Sequence, residues 1–315
     1  MTKPLPSTVD GVLVVAKPTG PTSHDVVGLV RRLSGTRRVG HGGTLDPFAS
    51  GVLPVFLGVA TRLVEYHLAD RKAYRATICF GASSTTDDLE GELTPSDGPA
   101  PDRAAVEGAR GTFVGEIEQA PPAYSAVKVA GRRAYARARA GEAVEIAPRR
   151  VTIHELVLAE WRVTDPDRPI AVVDVVCSAG TYVRALARDL GRAVGSAAYL
   201  GALVRTASGP FRIETAHPLD DVRAAASAPD GLRRMLLPPD AGLEMPRIRL
   251  SAPEVAEIAR GRQVRVPESA ADVAEGDATR LTDAAGRLVG IAIRRGARLA
   301  PDKVFVAADG AAADG

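Results

Sequence analysis

The stretch His41–Gly58, HGGTLDPFASGVLPVFLG, places one acidic side chain, Asp46, among residues that favour tight backbone geometry. Gly42 and Gly43 allow dihedral angles that other residues rarely adopt, and Pro47 fixes the backbone directly after the acid. The apolar residues that follow predict a segment anchored in a core, so Asp46 should lie at the edge of buried structure, aimed in one direction. An Asp in such a loop can also simply cap a helix or close a turn.

The composition predicts a globular protein with a substantial core. The chain has 315 residues, which suffices for one large or two ordinary domains, and we predict two. Hydrophobic residues make up 45% and charged residues 25%, and no apolar run approaches the ~20 residues that cross a bilayer. The amino terminus lacks the apolar core and cleavage site of an export signal, so we expect a cytoplasmic protein. Cys79 and Cys177 lie in apolar runs without metal-ligand spacing, which predicts buried, reduced thiols.

The distribution of charge is more informative than its total. The net charge of +2 is far below the strongly basic balance that by itself indicates a nucleic-acid-binding protein. Residues 128–150, however, hold seven Lys and Arg residues against Glu142 and Glu145. This local excess is compatible with a solvated helix face and with an element that binds RNA phosphates.

Apolar periodicity and turn residues predict strands and helices along the whole chain. Strands are expected at 12–16, 72–80, 152–163, 170–178 and 304–306, helices at 23–33, 103–111, 132–140, 182–194 and 255–259, and a hairpin at 281–293. The polar residues 81–102 are expected to form a surface loop. Pro and Gly concentrate at 237–246, which predicts a first domain over residues 1–240 and a second over 246–307. The tail 308–315 has no periodic apolar residue and is predicted to be disordered.

Six segments together have a recognisable pattern. They are GVLVVAKPTGPTSHDVV at 11–27, GHGGTLDPFASGVLPVFLG at 40–58, KAYRATICFG at 72–81, APPAYSAVKVAGRRAYARARAG at 120–141, CSAGTYVRALARDLG at 177–191 and LVRTASGPF at 203–211. The second segment resembles the active-site signature of the TruB family of pseudouridine synthases, and the others fall where that family has its own motifs. This family isomerises the T-loop uridine of transfer RNA.

The resemblance implies an α+β fold and an RNA substrate. A mixed, mainly antiparallel central sheet flanked by helices and loops would form the catalytic domain, 1–240, with a basic RNA-gripping insertion at about 120–150. Residues 246–307 would form a small PUA-like β-barrel. The partner would be the T-arm of transfer RNA, and the reaction would need no cofactor and no metal. No coiled-coil pattern or long apolar face stands out, so we expect a monomer without an obligate protein partner.

The resemblance also assigns roles in catalysis. Asp46 would be the nucleophile or base, attacking C6 of the uracil, attacking C1′ of the ribose, or removing a ribose proton, and the sequence does not choose among these routes. Arg184 would lie beside Asp46 and stabilise its negative charge. Tyr74 would stack on the extruded base, and its hydroxyl could take part in the proton shift from C5.

Further residues are implied in RNA binding. Tyr182 would pack on the pocket, and Leu203 would form its apolar wall. His41 would enter the T-loop and fill the space that the uridine leaves. Lys17, Arg132 and Arg133 are also expected to bind the RNA. Taken singly, an Arg on a helix, a Tyr on a strand and a lone His are also common as structural residues.

Two other functions are compatible with the same scaffold. A non-catalytic RNA-binding or RNA-folding protein could keep the scaffold without turnover, but the presence of Asp46, Tyr74, Tyr182 and Arg184 argues against it. A pseudouridine synthase directed by a guide RNA would share the Asp loop. The long basic insertion at 120–150 favours an enzyme that acts on transfer RNA alone.

Overall fold

The computed structural model describes residues 9–125 and 146–306, together with residues 128–129, 132–133 and 137. The chain divides into two compact units, Met1–Leu237 and Pro238–Gly315. Within the described parts of the chain, none of the helices is both long and apolar enough to cross a membrane.

The first unit combines β-strands with α-helices. Its strands are β1 (Gly11–Lys17), β2 (Val39–His41), β3 (Ser50–Leu57), β4 (Lys72–Phe80), β5 (Ala82–Ser84), β6 (Leu93–Pro95), β7 (Gly115–Gln119), β8 (Lys128–Val129), β9 (Arg132–Arg133), β10 (Arg149–Arg162), β11 (Ile170–Cys177), β12 (Ala198–Ser208), β13 (Phe211–Arg212) and β14 (His217–Pro218). Its described α-helices are α1 (Ser23–Ser34), α2 (Val64–Leu68), α3 (Arg103–Arg110), α4 (Val183–Ala193), α5 (Leu219–Ala226) and α6 (Gly231–Arg234).

One ten-stranded sheet organises this unit, in the order β14-β1-β3-β12-β4-β11-β10-β7, with β2 paired to β3 and β13 to β12. The β1–β14 and β3–β12 pairs are parallel, and the other pairs are antiparallel. The predicted α+β class, with a mixed and mainly antiparallel central sheet, is therefore confirmed.

Apolar packing explains the central strands. All of β3 except Ser50 is buried, which is typical of a strand covered on both faces. Residues of β1 and β3 form one core cluster with α1, α5 and α6, and residues of β4, β10, β11 and β12 form another with α3 and α4. The sheet thus brings β3, β4 and β12 together in the middle of the unit.

Local signals fix the ends of helix α1. Thr22 accepts a hydrogen bond from the Asp25 amide, and the Asp25 carboxylate accepts one from the Thr22 amide, which forms a capping box. The helix ends at Ser34 and is followed by Gly35, whose φ of 67° lies in the left-handed region. Thr22–Ser23 was the start that the sequence predicted, and the end lies one residue beyond the prediction.

Several local predictions were wrong. Residues 81–102 form more than a surface loop, because β5 and β6 pair there and Asp88 is buried. Arg132 and Arg133 pair with 128–129 as a short strand, where a helix was predicted. Cys79 is only partly buried, although Cys177 is buried as predicted. Most of the predicted helix 132–140, much of the basic insertion and the tail 308–315 lie outside the described residues.

The second unit contains the strands β15 (Arg247–Arg249), β16 (Val264–Arg265), β17 (Ala278–Thr282), β18 (Leu288–Arg295) and β19 (Arg298–Val304), with helix α7 (Ala252–Ala259). They form a five-stranded sheet in the order β15-β17-β18-β19-β16. The β17–β18 hairpin was predicted, and Gly286 in its turn has a φ of 81°. The last strand begins at Arg298 rather than at 304, since β19 pairs antiparallel with β18 along this longer stretch.

Candidate active site

A cavity of about 570 Å³ opens in the first unit and lies within the ~300–1,000 Å³ range of small-ligand pockets. Its walls come from the loop before β3, from β4 and β12, from the start of α4 and from the segment around Tyr124. The structure brings five of the predicted site residues together in this wall: Asp46, Tyr74, Tyr182, Arg184 and Leu203.

Asp46 and Arg184 form an ion pair at the cavity wall. Arg184 Nε lies 3.0 Å from Asp46 Oδ2, in a geometry that falls short of an aligned hydrogen bond. The Asp46 side chain is 36% exposed, whereas that of Arg184 is only 6% exposed. Arg184 is therefore no surface helix residue. The Asp46 carboxylate is thus reachable from the cavity and is paired with a buried cation.

A second carboxylate, Asp88, faces the same guanidinium. Its Oδ2 lies 3.3 Å from Arg184 Nη1, and its side chain is 4% exposed. The remaining donors of Arg184 are used by main-chain oxygens: Nη1 donates to Thr86 O at 3.1 Å, and Nη2 donates to Tyr124 O at 3.1 Å. The Arg184 guanidinium thus contacts two carboxylates and two main-chain oxygens. Buried charges need such ionic and hydrogen-bonding partners. Sequence reasoning missed Asp88, because it lies in a polar segment predicted to be exposed.

The loop that contains Asp46 is tied to helix α1 and strand β1. Ser23 Oγ accepts a hydrogen bond from the Leu45 amide at 2.8 Å and is 3.1 Å from Leu45 O, to which it donates. Lys17 Nζ donates to Pro18 O at 2.9 Å, to Pro21 O at 2.8 Å and to Pro47 O at 3.4 Å.

The prediction that Lys17 binds RNA stays a prediction, and the structure gives this side chain other partners. Its side chain is buried, and its ammonium is occupied by three carbonyls, one of them from the residue after Asp46. Burial lowers the pKa of Lys17 to about 8, partly offset by the Asp46 charge. Lys17 therefore links strand β1 to the loop that contains Asp46.

Arg205 on β12 holds the other side of the loop. This buried guanidinium donates to Val52 O at 2.7 Å, to Thr44 O at 3.2 Å and to Gly43 O at 3.1 Å. The parallel pairing of β12 with β3 brings the two backbones so close that a Cβ on Gly51 would lie 2.2 Å from Arg205 O. Only glycine fits there, and its φ of 111° agrees. Sequence gave no sign of this contact.

Tyr74 and Leu203 enter the cavity from neighbouring strands. Burial raises the pKa of the Tyr74 phenol, and the Arg205 guanidinium opposes this rise, so the hydroxyl stays protonated at neutral pH. The register between β12 and β4 shifts after Leu200 and again after Arg205, on either side of Leu203. Such bulges re-aim side chains beside active sites.

Tyr182 is positioned by a side chain from β7. The Gln119 amide pairs with the backbone of Tyr182: the Tyr182 N–H donates to Gln119 Oε1 at 2.8 Å, and Gln119 Nε2 donates to Tyr182 O at 3.1 Å. Tyr182 directly precedes α4 and makes no side-chain cap there. The Arg149 guanidinium lies 4.7 Å from the centre of the Tyr182 ring, a cation–π distance, and donates to Gly180 O.

The remaining predicted site residues lie elsewhere. His41 lies in β2 outside the cavity lining, as the described residues define it, and its Nδ1 accepts a hydrogen bond from the Gly43 amide at 3.2 Å. Burial lowers the pKa of His41, and the nearby His24 adds to this effect. The side chains of Arg132 and Arg133 lie outside the described residues. Among the described residues, no three His, Cys, Asp or Glu side chains are arranged to hold a metal ion.

Comparison with known proteins agrees with this geometry. Residues 31–183 match the family model of the TruB family pseudouridylate synthase (N terminal domain). The tRNA pseudouridine synthase B of Thermobifida fusca is 49% identical over 261 residues, which cover 81% of this chain and 86% of that protein. The chain belongs to the TruB family of pseudouridine synthases.

The family relationship extends over nearly the whole chain. Residues 184–244 match the tRNA pseudouridylate synthase B C-terminal domain, and residues 246–305 match the model called pseudouridine synthase II TruB, C-terminal. The tRNA pseudouridine synthase B of a Synechococcus species is 44% identical over 311 residues, 98% of this chain and 99% of that protein. The TruB relationship therefore includes the second unit.

Solved structures share the fold. The structure of an H/ACA RNP bound to a substrate RNA containing 2′-deoxyuridine superposes with a TM-score of 0.71 at 25% identity, covering 96% of this chain and 87% of that chain. A Cbf5-Nop10-Gar1 complex gives the same TM-score at 28% identity, again over 96% of this chain and 87% of that chain.

Proposed function

We propose that this protein converts uridine 55 in the T-loop of transfer RNA to pseudouridine. The observation that supports this most directly is the Asp46 carboxylate, which is exposed to a nucleotide-sized cavity and held by the buried Arg184. The relatives named tRNA pseudouridine synthase B, at 40–49% identity, support transfer RNA as the substrate.

The reaction exchanges one glycosidic bond for another. The bond from C1′ to N1 of uracil breaks, a bond from C1′ to C5 forms, N1 gains a proton and C5 loses one, so there is no net redox change. The uridine must first leave the folded T-loop. Asp46 then attacks C6, attacks C1′ or removes a ribose proton, and each route needs a carboxylate that is fixed and reachable.

The surrounding side chains fit a flipped uracil. Tyr74 and Tyr182 offer aromatic rings, and Leu203 offers an apolar contact. Because the Tyr74 phenol stays protonated, it can donate a hydrogen bond and exchange a proton with C5. Arg184 positions the reacting carboxylate. His41, just before the loop, would occupy the space that the flipped uridine leaves.

Other parts of the chain would grip the RNA backbone. In β15, Arg247 and Arg249 are exposed while Ile248 between them is buried, so the strand presents guanidinium groups to solvent. Phosphate contacts of this kind position RNA without acting on the base. We assign the same role to the basic insertion at about 120–150, including Arg132 and Arg133, and expect the protein to act as a monomer without a cofactor.

The alternatives differ in what they require. The H/ACA relationship is compatible with guidance by a second RNA, but identity to those chains is 25–28%, against 49% to the Thermobifida fusca relative. A protein that only binds or folds RNA would not need a carboxylate that is exposed to the cavity and paired with a buried arginine, as Asp46 is.

One experiment tests the activity, the position and the need for a guide. The purified protein is incubated with an unmodified transfer RNA transcript and no other RNA, and pseudouridine is mapped at nucleotide resolution. We expect modification at position 55, none in a transcript with cytidine at that position, and none with Asp46→Asn. That variant should keep RNA affinity within about tenfold, because the amide preserves the shape of the side chain. Modification only after adding a cellular RNA fraction would contradict the proposal.

A further inference from the structure

A second arginine of helix α4 repeats the contacts of Arg184 one turn further along. Arg188 follows Arg184 by four residues, so the two side chains lie on the same face of the helix. Arg184 binds Asp88 and the carbonyl of Tyr124. Arg188 Nη1 donates to Asp87 Oδ2 at 2.8 Å, and its Nη2 donates to Ala120 O at 2.9 Å. Each arginine thus joins one acid of the 87–88 pair to one carbonyl of the 120–124 segment.

The backbone conformation at Asp87 directs Asp87 toward Arg188 and Asp88 toward Arg184. Asp87 has a φ of 61°, in the left-handed region that residues other than glycine rarely adopt. Its amide donates to Ser84 O at 3.1 Å, and its carbonyl accepts from the Leu200 amide at 3.0 Å, so this turn is tied to β12. A residue persists in such a conformation only when its surroundings determine it.

The Arg188 side chain is held by several hydrogen bonds. Besides Asp87 and Ala120, it contacts Asp189 through Nε to Oδ1 at 2.9 Å and Nη2 to Oδ2 at 3.2 Å. The side chains of Arg188 and Asp87 are 16% and 14% exposed, so the pair is largely withdrawn from water. As the described residues define the cavity, neither side chain lines it. The pair therefore touches the groups around Arg184 and is separate from the substrate space.

We propose that Arg188 and Asp87 are a positioning pair that sets the places of Asp88 and Arg184, and through them the direction of the Asp46 carboxylate. The proposal rests on the function given above. A reacting group displaced by about 1 Å can lose on the order of 100-fold in rate. The pair should accordingly affect the chemical step far more than RNA binding.

The test compares matched substitutions on one helix. Arg188→Gln and Asp87→Asn each remove the charge pair, and asparagine tolerates the left-handed backbone at 87. Arg192→Gln is the control, because Arg192 lies one turn further on α4, is 70% exposed and approaches Asp189 only at 3.6 Å. For each variant, the single-turnover rate of pseudouridine formation at saturating transfer RNA and the Kd for transfer RNA are measured.

We expect Arg188→Gln and Asp87→Asn each to slow the single-turnover rate by about 10- to 100-fold, with the Kd within about threefold of wild type. The double variant should be no slower than the slower single variant, since both changes break one contact. Arg188→Lys should recover part of the rate, because it keeps the charge opposite Asp87. Arg192→Gln should match the wild type in rate and Kd.

Three results would overturn the proposal: a wild-type rate for Arg188→Gln, parallel losses of rate and affinity, or effects that multiply in the double variant. If Arg188→Gln does not fold, Asp87→Asn decides the question alone. Failure of the proposed function is distinguishable, because the wild-type protein itself would then form no pseudouridine in transfer RNA.

Discussion

Replacing Asp88 with asparagine removes one of the two carboxylates that face Arg184. The substitution keeps the size of the side chain, and the amide oxygen can still accept the hydrogen bond that the Glu90 amide donates to Asp88 Oδ1 at 3.0 Å. Its main effect is therefore electrostatic. Arg184, which is 6% exposed, would retain Asp46 as its carboxylate partner and would be drawn toward it.

The size of the effect follows from the burial of the pair. Two unit charges about 4 Å apart attract each other by about 4 kcal/mol at an effective dielectric constant of ~20. Removing one partner of a buried pair costs about 3–5 kcal/mol, and the lower end applies here because Asp46 still compensates part of the charge. We expect Asp88→Asn to lower the free energy of unfolding by about 3 kcal/mol and the single-turnover rate by at least about tenfold, or 1.4 kcal/mol in the barrier.

The assay uses a natural probe and a matched control. Trp161 is the single tryptophan of the chain and packs against Phe80 in the first unit at 6.0 Å between ring centres, so its fluorescence reports urea unfolding of that unit. Asp174→Asn is the control, because Asp174 pairs with Arg75 at 2.7 Å while both side chains are about half exposed. It should leave stability and rate almost unchanged. The reasoning is refuted if Asp88→Asn resembles the control, or if it loses stability but keeps the wild-type rate.

Three further predictions follow from other contacts. Lys17→Met should slow the single turnover and leave the Kd for transfer RNA unchanged, because the carbonyls of Pro18, Pro21 and Pro47 lose their donor; a weaker Kd with an unchanged rate would instead support Lys17 as an RNA contact. Tyr74→Phe should bind RNA normally and react slowly, and Tyr74→Leu should be worse in both measurements if the ring stacks on the base. Deleting Pro238–Gly315 keeps Leu237, whose backbone is hydrogen-bonded to that of Val12. The deletion should raise KM for transfer RNA more than KM for a T-arm hairpin, whereas an equal loss of activity on both substrates would show that the segment supports the fold.

The fold was predictable where the sequence alternates or clusters its apolar residues. The alternation in β4 predicted that strand with its observed bounds, and β11 was predicted to within one residue. The apolar run of β3 was predicted as a segment anchored in the core, without a strand assignment. Arg132 and Arg133 were wrongly predicted as helical, because Ala and Arg favour helices locally while cross-strand pairing with residues 128–129 decided the outcome at these two positions. The sheet order was not readable, because it depends on contacts between residues far apart in the chain.

The site was predictable only in part, for a physical reason. Asp46, Tyr74, Tyr182, Arg184 and Leu203 lie in motifs, and the structure gathers them around one cavity. Asp88 lies outside the motifs, and Lys72 and Arg205 lie within them but were not singled out. Charged residues are almost always exposed, and the burial of these three depends on partners elsewhere in the fold. The partners of Arg205 are main-chain carbonyls, to which any residue type could contribute.

Three buried cations are bound by main-chain carbonyls: Lys17 and Arg205 at the loop that contains Asp46, and Lys72 at residues 67–70. Lys17, Lys72 and Arg205 are buried and donate to main-chain oxygens, which carry only partial charges, whereas Arg184 faces two full carboxylates. The lowered pKa of Lys17, about 8, still leaves it protonated at neutral pH. Lys72 and Arg205 line the cavity, so their positive charge acts on whatever enters it, and such buried charges are weakly screened by salt. A chain with a net charge of only +2 can therefore present a locally positive cavity to an RNA phosphate.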